Sequence, residues 1–344
     1  MTKARSNAVL IGLGMVADMH AAAIADTDGA VRLAGVMARR VETAKAFADR
    51  HGGPAVLTSV DAVIAAQPDF VILATPPDAR RDYVTRLAGA GIPILTEKPL
   101  ARTYAEAVEL VEICDARGVG FGALLQHRMR PAAQDLMARI ASGQIGDIAS
   151  VELRIPWWRD QSYYDVPGRG TYARDGGGVL ITQAIHTLDL MLQLCGPVET
   201  VQAMTATTAL HQLEAEDFAA AALRFRSGAV GSMVASVTHY PGGAEEILLN
   251  GTKGSAVLAA NRLVLHRHGA EPEEIGQAAG SGGGADPMAF SHDWHRDVIA
   301  DFAEAVRQDR APAITARSAL GVHALIDAIT RSAASGQRER VSDD

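Results

Sequence analysis

An apolar run at residues 8–13 breaks into Gly12-Leu13-Gly14-Met15-Val16-Ala17, the spacing G-x-G-x-x-G/A, and then into a helix-compatible segment. Nothing else in the 344 residues restricts the fold as much, because few architectures pass from a strand through a glycine turn straight into a helix. Gly12 permits the tight turn, Gly14 leaves the backbone open to a diphosphate, and Ala17 lets the helix lie close to the strand. Met15 and Val16 complete the turn ahead of a helix N-terminus whose amides and partial positive charge suit phosphate oxygens. Lys3 and Arg5 before the run imitate a secretory signal. Two glycines interrupt it, however, and Asp18 and His20 follow at once, so a strand and turn explain it better.

The first third of the chain continues this rhythm. Strands are expected at 8–13, 32–37, 70–74, 92–96 and 119–124, with helices such as 41–50 and 103–117 between them. After about Pro131, β-rich segments follow one another without helices between them, at 148–158, 198–208, 218–225, 230–236 and 246–249. That run reads as a mostly antiparallel sheet. Helices at 179–194 and 293–308, each with an apolar stripe, are expected to cover one of its faces. The fold class is therefore α/β. It combines an N-terminal Rossmann doubly wound parallel sheet, residues 1–125, with a C-terminal α+β domain, residues 126–344, built on a mostly antiparallel open sheet. Residues 269–287, with Gly282, Gly283 and Gly284, are too poor in apolar side chains to order themselves and are expected to form a mobile loop.

Composition narrows the partners. The 32 basic residues face 40 acidic ones, a net charge of -8, with no Lys/Arg block to neutralise a phosphate backbone, so nucleic acid is not an expected partner. Cys114 and Cys195 provide neither a disulfide framework nor a cysteine zinc cage. No apolar stretch approaches the ~20 residues of a membrane-spanning helix, and cytoplasmic residence is the expectation.

At the end of the second strand, where an NAD enzyme usually places Asp or Glu against the ribose hydroxyls, this chain has Ala38-Arg39-Arg40. Two guanidinium groups without a carboxylate suit the extra phosphate of NADP, so NADP(H) is favoured and NAD(H) stays open. The alternative is that both arginines are solvent-facing charges at the start of a helix.

Thr75-Pro76-Pro77 follows one strand and Glu97-Lys98-Pro99 the next, both at carboxyl ends where open α/β sheets bind ligands. Together with the glycine turn, with Gly176-Gly177-Gly178, and with His186 and Asp189, these segments resemble the Gfo/Idh/MocA oxidoreductase family, the relatives of glucose-fructose oxidoreductase and inositol dehydrogenase. The resemblance runs through almost the whole chain. It implies an NAD(P)-dependent dehydrogenase acting on CH-OH groups, which transfers a hydride between the nicotinamide and a secondary alcohol or ketone of a sugar, cyclitol or related polyol. Two alternatives stay open, a cis-dihydrodiol dehydrogenase of the same fold and a non-catalytic dinucleotide- or sugar-sensing protein.

The resemblance also implies roles. Lys98 should contact the reacting hydroxyl, beside a cofactor that also meets Thr75, Pro76, Pro77, Glu97 and Gln126. His186 is the acid–base candidate, since imidazole titrates near neutral pH. Thr182, His186 and Asp189 fall at i, i+4 and i+7, on one face of an α-helix. Many relatives carry Asp or Asn at the position of Thr182, which cannot act as a base, so either the proton passes mainly between Lys98 and His186 or the helix has kept its shape without the chemistry. Thr182, Gln183 and His295 are candidates to bond substrate hydroxyls, and Arg128, after the sixth strand, is a candidate to contact nicotinamide or substrate. Trp158 and Tyr163 are candidates to stack on a ring, with core packing as the equal alternative. His292 and His295 with His186 invite a zinc reading; no metal is expected. An open sheet needs a cover, so a homodimer or homotetramer through the C-terminal sheet is expected.

Overall fold

The computed structural model describes residues 5–277, 283–284 and 290–342. They form two compact units, one of Met1–Gln126 with His292–Leu320, the other of His127–Ser291 with Gly321–Asp344.

In the first unit six strands, β1 (Ser6–Ile11), β2 (Val31–Met37), β3 (Ala55–Leu57), β4 (Phe70–Leu73), β5 (Ile94–Glu97) and β6 (Phe121–Leu124), lie in the order β3-β2-β1-β4-β5-β6. All the pairings are parallel. Helices α1 (Ala17–Ala25), α2 (Val41–Arg50), α3 (Val60–Ala65), α4 (Arg80–Gly89) and α5 (Tyr104–Asp115) supply the crossovers. Side chains of β4 are buried along its whole length, as a parallel strand covered on both faces requires. The strand order reverses between β1 and β4, which makes the turns after these two strands the natural ligand edge.

In the second unit the sheet runs β14-β13-β12-β11-β7-β10-β9-β8-β15. Its strands are β7 (Ile148–Pro156), β8 (Val198–Ala206), β9 (Phe218–Phe225), β10 (Val230–Ser236), β11 (Glu246–Gly251), β12 (Gly254–Ala259), β13 (Arg262–Arg267), β14 (Glu273–Ile275) and β15 (Glu339–Arg340). Only β7 and β10 pair in parallel; the other neighbours are antiparallel. One face is apolar, with Val151, Leu153, Ile155, Leu223, Met233 and Leu249 buried on alternate positions. Helices α6 (Pro131–Ala141) and α8 (Ile185–Cys195) contact this sheet, α7 (Gln161–Tyr164) is one turn, and α10 (Leu320–Ser335) bonds it through Ser332 Oγ, which accepts from Ala203 N at 3.0 Å.

Two expectations are corrected. The helix at Asp293–Gln308, α9, does not cover the antiparallel sheet. It packs with α1 and β6 in the first unit, where Phe302 meets Phe70 edge-on at 5.5 Å. Gly122 makes that approach possible, because a Cβ there would lie 2.7 Å from the Phe302 ring. An apolar stripe fixes which face of a helix is buried but not which sheet receives it. Part of the expected mobile loop is a strand: β14 pairs with β13, and its Glu273 takes both Nη1 and Nη2 of Arg139, at 2.9 and 2.6 Å. Gly283 and Gly284 are described, while Gly282 and the rest of 278–282 and 285–289 lie outside the described residues. No helix among the described residues is long and apolar enough to cross a membrane.

Candidate functional site

The glycine turn sits at the reversal of strand order. Gly12 has φ +96° and its amide donates to Met37 O at 3.0 Å, tying the turn to β2. A Cβ on Gly12 would fall 2.6–2.8 Å from backbone atoms of Ala74 and Thr75, so glycine is required there by the neighbouring turn as well as by its own φ. A Cβ on Gly14 would meet nothing within 4 Å. No protein neighbour needs that glycine; space for a ligand does. Met15 is exposed and Val16 half-buried, and the N-terminus of α1 has no side-chain cap, which leaves its amides for an anion. Ala38 is half-buried beyond β2, and Arg39 and Arg40 are exposed, with no ion pair among the described residues.

Along the same edge, Thr75 follows β4 and Gln126 follows β6. Both are buried, and Thr75 Oγ1 and Gln126 Oε1 have no hydrogen-bond partner among the described residues. Buried polar atoms left unsatisfied cost ~1–3 kcal/mol each, so such a pair on a ligand edge is where a ligand's amide or hydroxyl belongs. Pro76 is exposed and Pro77 half-buried.

The turn holding Lys98 is fixed from beneath by a residue that sequence reasoning missed. Arg80, the first residue of α4 and 2% exposed, donates from Nε and Nη2 to Thr75 O at 3.1 and 2.8 Å. Its Nη1 donates to the carbonyls of Glu97 and Pro99, and to Leu100 O at 3.3 Å. One guanidinium thus ties the Thr75-Pro76-Pro77 turn to the Glu97-Lys98-Pro99 turn, whose Lys98–Pro99 peptide is cis. Burial lowers the Arg80 pKa to about 10, against the opposing charge of Glu97, so the group stays cationic at neutral pH.

Lys98 is half-buried, and its amide donates to Glu97 Oε2 at 3.1 Å. The other Glu97 oxygen accepts from His20 Nε2 at 2.9 Å, inside the protein. Burial alone would raise the Glu97 pKa; the bond and charge of His20 outweigh it and hold the carboxyl at about 2. The His295 ring stands edge-on to His20 at 5.7 Å and is 2% exposed. Burial pushes its pKa down to about 3 although Glu97 opposes this, so His295 is neutral. Among the described residues, the one group with clustered ligand atoms is Asp26, His292 and Asp293, where His292 Nε2 meets Asp26 Oδ2 at 2.6 Å, and it contains neither His295 nor His186.

In the second unit, the stretch after Gln126 faces helix α8. Arg128 binds Asp189 in two parallel bonds of 2.7 and 2.5 Å, buried on both sides. The neighbouring His127 stacks on His186, with ring centroids 4.7 Å apart and planes at 27°. His186 and Asp189, at i and i+3, therefore share one helical face as their spacing requires. Thr182 lies in the preceding segment Leu180–Ala184, which winds as a π turn rather than an α turn. The Thr182 hydroxyl donates to Gly178 O at 2.6 Å and meets Gln183 Oε1, and Gln183 is buried. Trp158 is half-buried against Tyr240 at 5.4 Å, and the Tyr163 ring carries the Arg169 guanidinium at 4.2 Å.

The glycine triplet makes a close contact. A Cβ on Gly178 would come 1.8 Å from Glu216 O, and the Glu216 carboxylate accepts from the amides of Gly178 and Leu180 at 3.0 and 3.1 Å. Glu216 thus holds amides that lead through the π turn into the helix that carries His186, and burial raises its pKa despite these bonds. It lies 38 residues from Gly178, too far for a local capping pattern to reveal it.

A parallel sheet with a glycine turn at its switch point, joined to an antiparallel-sheet unit, defines a dinucleotide-binding oxidoreductase of two parts. Residues 6–123 match the oxidoreductase family with an NAD-binding Rossmann fold, and residues 133–257 match the GFO/IDH/MocA C-terminal domain. The chain belongs to the GFO/IDH/MocA family. It is 27% identical to inositol 2-dehydrogenase of Rhizobium meliloti (strain 1021), over 94% of this chain and 96% of that protein. It is 28% identical to D-glucoside 3-dehydrogenase of Escherichia coli (strain K12), over 57% of this chain but only 56% of that protein. Among solved structures, the WlbA dehydrogenase from Bordetella pertussis in complex with NADH and UDP-GlcNAcA superposes with a TM-score of 0.86 at 29% identity, covering 99% of this chain and all of that one.

The neutral His295 carries a pH prediction. The unfolded chain takes up this proton near 6.5 and the folded protein only near 3, so the unfolded state binds more protons between these values and stability falls as pH is lowered through the window. Glu97 adds to this loss only from about 4.5 downward: its contribution is present above about 4.5 and is lost as pH falls toward 2. His295→Phe, which keeps a ring beside His20, should flatten the loss of urea-unfolding midpoint between pH 6.5 and pH 4.5; an unchanged slope contradicts the assignment.

Proposed function

We propose that the chain is a nicotinamide-dependent dehydrogenase that moves a hydride between the cofactor and a secondary alcohol, or the corresponding ketone, of a sugar, cyclitol or related polyol. The observation that carries this reading is the unsatisfied pair Thr75 Oγ1 and Gln126 Oε1 on the edge that also holds Lys98 and the open Gly14 turn. The polyol substrate class takes its support from the relatives, an inositol dehydrogenase and a glucoside dehydrogenase.

In this reading the backbone of Gly12, Gly14, Met15 and Val16 holds the diphosphate, and Thr75, Pro76, Pro77 and Gln126 frame the nicotinamide. The bound nicotinamide supplies the hydride acceptor at its C4 position. Lys98 donates a hydrogen bond to the reacting oxygen. As the carbinol C–H bond breaks and its electron pair leaves with the hydrogen, His186 takes the hydroxyl proton and the C=O bond forms; reduction retraces these steps. Thr182, lacking a carboxyl, adds no base, and with Gln183 it is assigned to substrate hydroxyls.

Lys98→Ala should lower kcat by about 10²–10⁴-fold while dinucleotide binding persists, followed by nicotinamide absorbance on a panel of inositol, a D-glucoside and UDP-GlcNAcA. Tight dinucleotide binding by the wild type with no turnover across a broad panel would point instead to a sensor.

NADP(H) is favoured over NAD(H), because Arg39 and Arg40 stand exposed at the end of β2, without an ion pair among the described residues, where a carboxylate would select the ribose hydroxyls of NAD. The double substitution Arg39→Ala and Arg40→Ala should lower the ratio of kcat/KM for NADP over NAD by about tenfold or more, the size of a charge-assisted phosphate contact. A ratio that does not move assigns both arginines to solvent.

A further inference from the structure

Behind His186 lies a buried chain of polar groups that neither the dinucleotide edge nor the proton transfer uses. Trp157 Nε1 donates to Glu245 Oε2 at 3.4 Å, Glu245 Oε1 accepts from Arg130 Nη1 at 2.5 Å, and Arg130 Nη2 lies 2.6 Å from His127 Nε2. Arg130 and Glu245 are each 3% exposed at the side chain. A guanidinium has donors only, so His127 Nε2 must accept, and the ring proton of His127 resides on Nδ1. His127 is then a neutral ring, and it is this ring that stacks on His186 at 4.7 Å.

We propose that Arg130, held by Glu245, is a positioning residue for the dehydrogenase reaction, fixing His127 as the neutral Nδ1–H tautomer on which His186 rests. The inference depends on the proton-accepting role of His186 given above. When His186 takes the hydroxyl proton it becomes an imidazolium. A neutral imidazole face stabilises a cation stacked on it, whereas a second imidazolium at that separation would repel it. The Arg130–Glu245 pair is itself charge-balanced, so it fixes the tautomer with little net charge of its own. Because a half-removed buried ion pair is strongly destabilising, the informative variant removes both members: Arg130→Met together with Glu245→Leu keeps a packed interior without stranding either charge.

Histidine-labelled protein without cofactor or substrate gives one readout, the ring-nitrogen NMR signals. The wild type should show His127 protonated on Nδ1 with Nε2 accepting, and the double variant should lose that single tautomer. In steady-state kinetics on the best substrate of the panel above, the double variant should lose about ten- to a hundred-fold in kcat, part of what a positioned acid–base group supplies, with both KM values nearly unchanged. Arg130→Lys, which keeps a donor and a charge beside Glu245, should recover kcat to within about threefold. His127 protonated on Nε2 in the wild type, or wild-type kcat in the folded double variant beside an inactive His186→Asn, overturns this inference alone. Full turnover in His186→Asn overturns the role of His186 and this inference with it.

Discussion

The carboxyl edge of the parallel sheet depends on one buried cation. Arg80 donates to the carbonyls of Thr75, Glu97, Pro99 and Leu100, and so joins two turns that follow neighbouring strands, β4 and β5. Backbone carbonyls in turns would otherwise need water, and water at this depth would let the turns move independently. By replacing it, Arg80 makes the position of Lys98 a consequence of sheet register. The second half of the same device is Glu97, whose side chain reaches back to the Lys98 amide and to His20 while its carbonyl is held by Arg80. A carboxylate held ionised inside the protein, a neutral His295 and a cationic Arg80 form a fixed electrostatic floor under the turn.

The second unit uses the same principle with different groups. The buried Arg128–Asp189 pair and the His127–His186 stack fasten α8 to the segment after Gln126, and the Glu216 carboxylate holds the Gly178 and Leu180 amides that lead through the π turn into that helix. Ion pairs this deep contribute little net stability compared with apolar packing, so their value is in fixing geometry. In both units a side chain of the proposed site is thus carried by a backbone that charged, buried neighbours prevent from relaxing.

Much of this was legible in the sequence. The parallel sheet, the glycine turn and helices such as Val41–Arg50 and Asp293–Gln308 follow from apolar periodicity and small residues at fixed spacing. The strand at Ala55–Leu57 was not legible, since three residues carry no period. Nor was the destination of α9, because Phe302 finds its place through Gly122, 180 positions earlier in the chain and on another element. Arg80 reads as an ordinary surface arginine in a polar helix, and only the tertiary fold turns it inward onto carbonyls. The face shared by Thr182, His186 and Asp189 was drawn with an α-helical period throughout; the π turn at Leu180–Ala184, in which Thr182 sits, is a feature that no residue pattern announced.

The most direct measurement is the affinity of Arg80→Met and wild-type protein for NADPH and NADH, followed by titration calorimetry with circular dichroism confirming that the variant is folded. If Arg80 organises the edge that receives the dinucleotide, the wild type binds one equivalent and the folded variant binds at least about tenfold more weakly, a loss of about 1.4 kcal/mol. Equal affinity in a folded variant, or no binding of either dinucleotide by the wild type, would contradict the account.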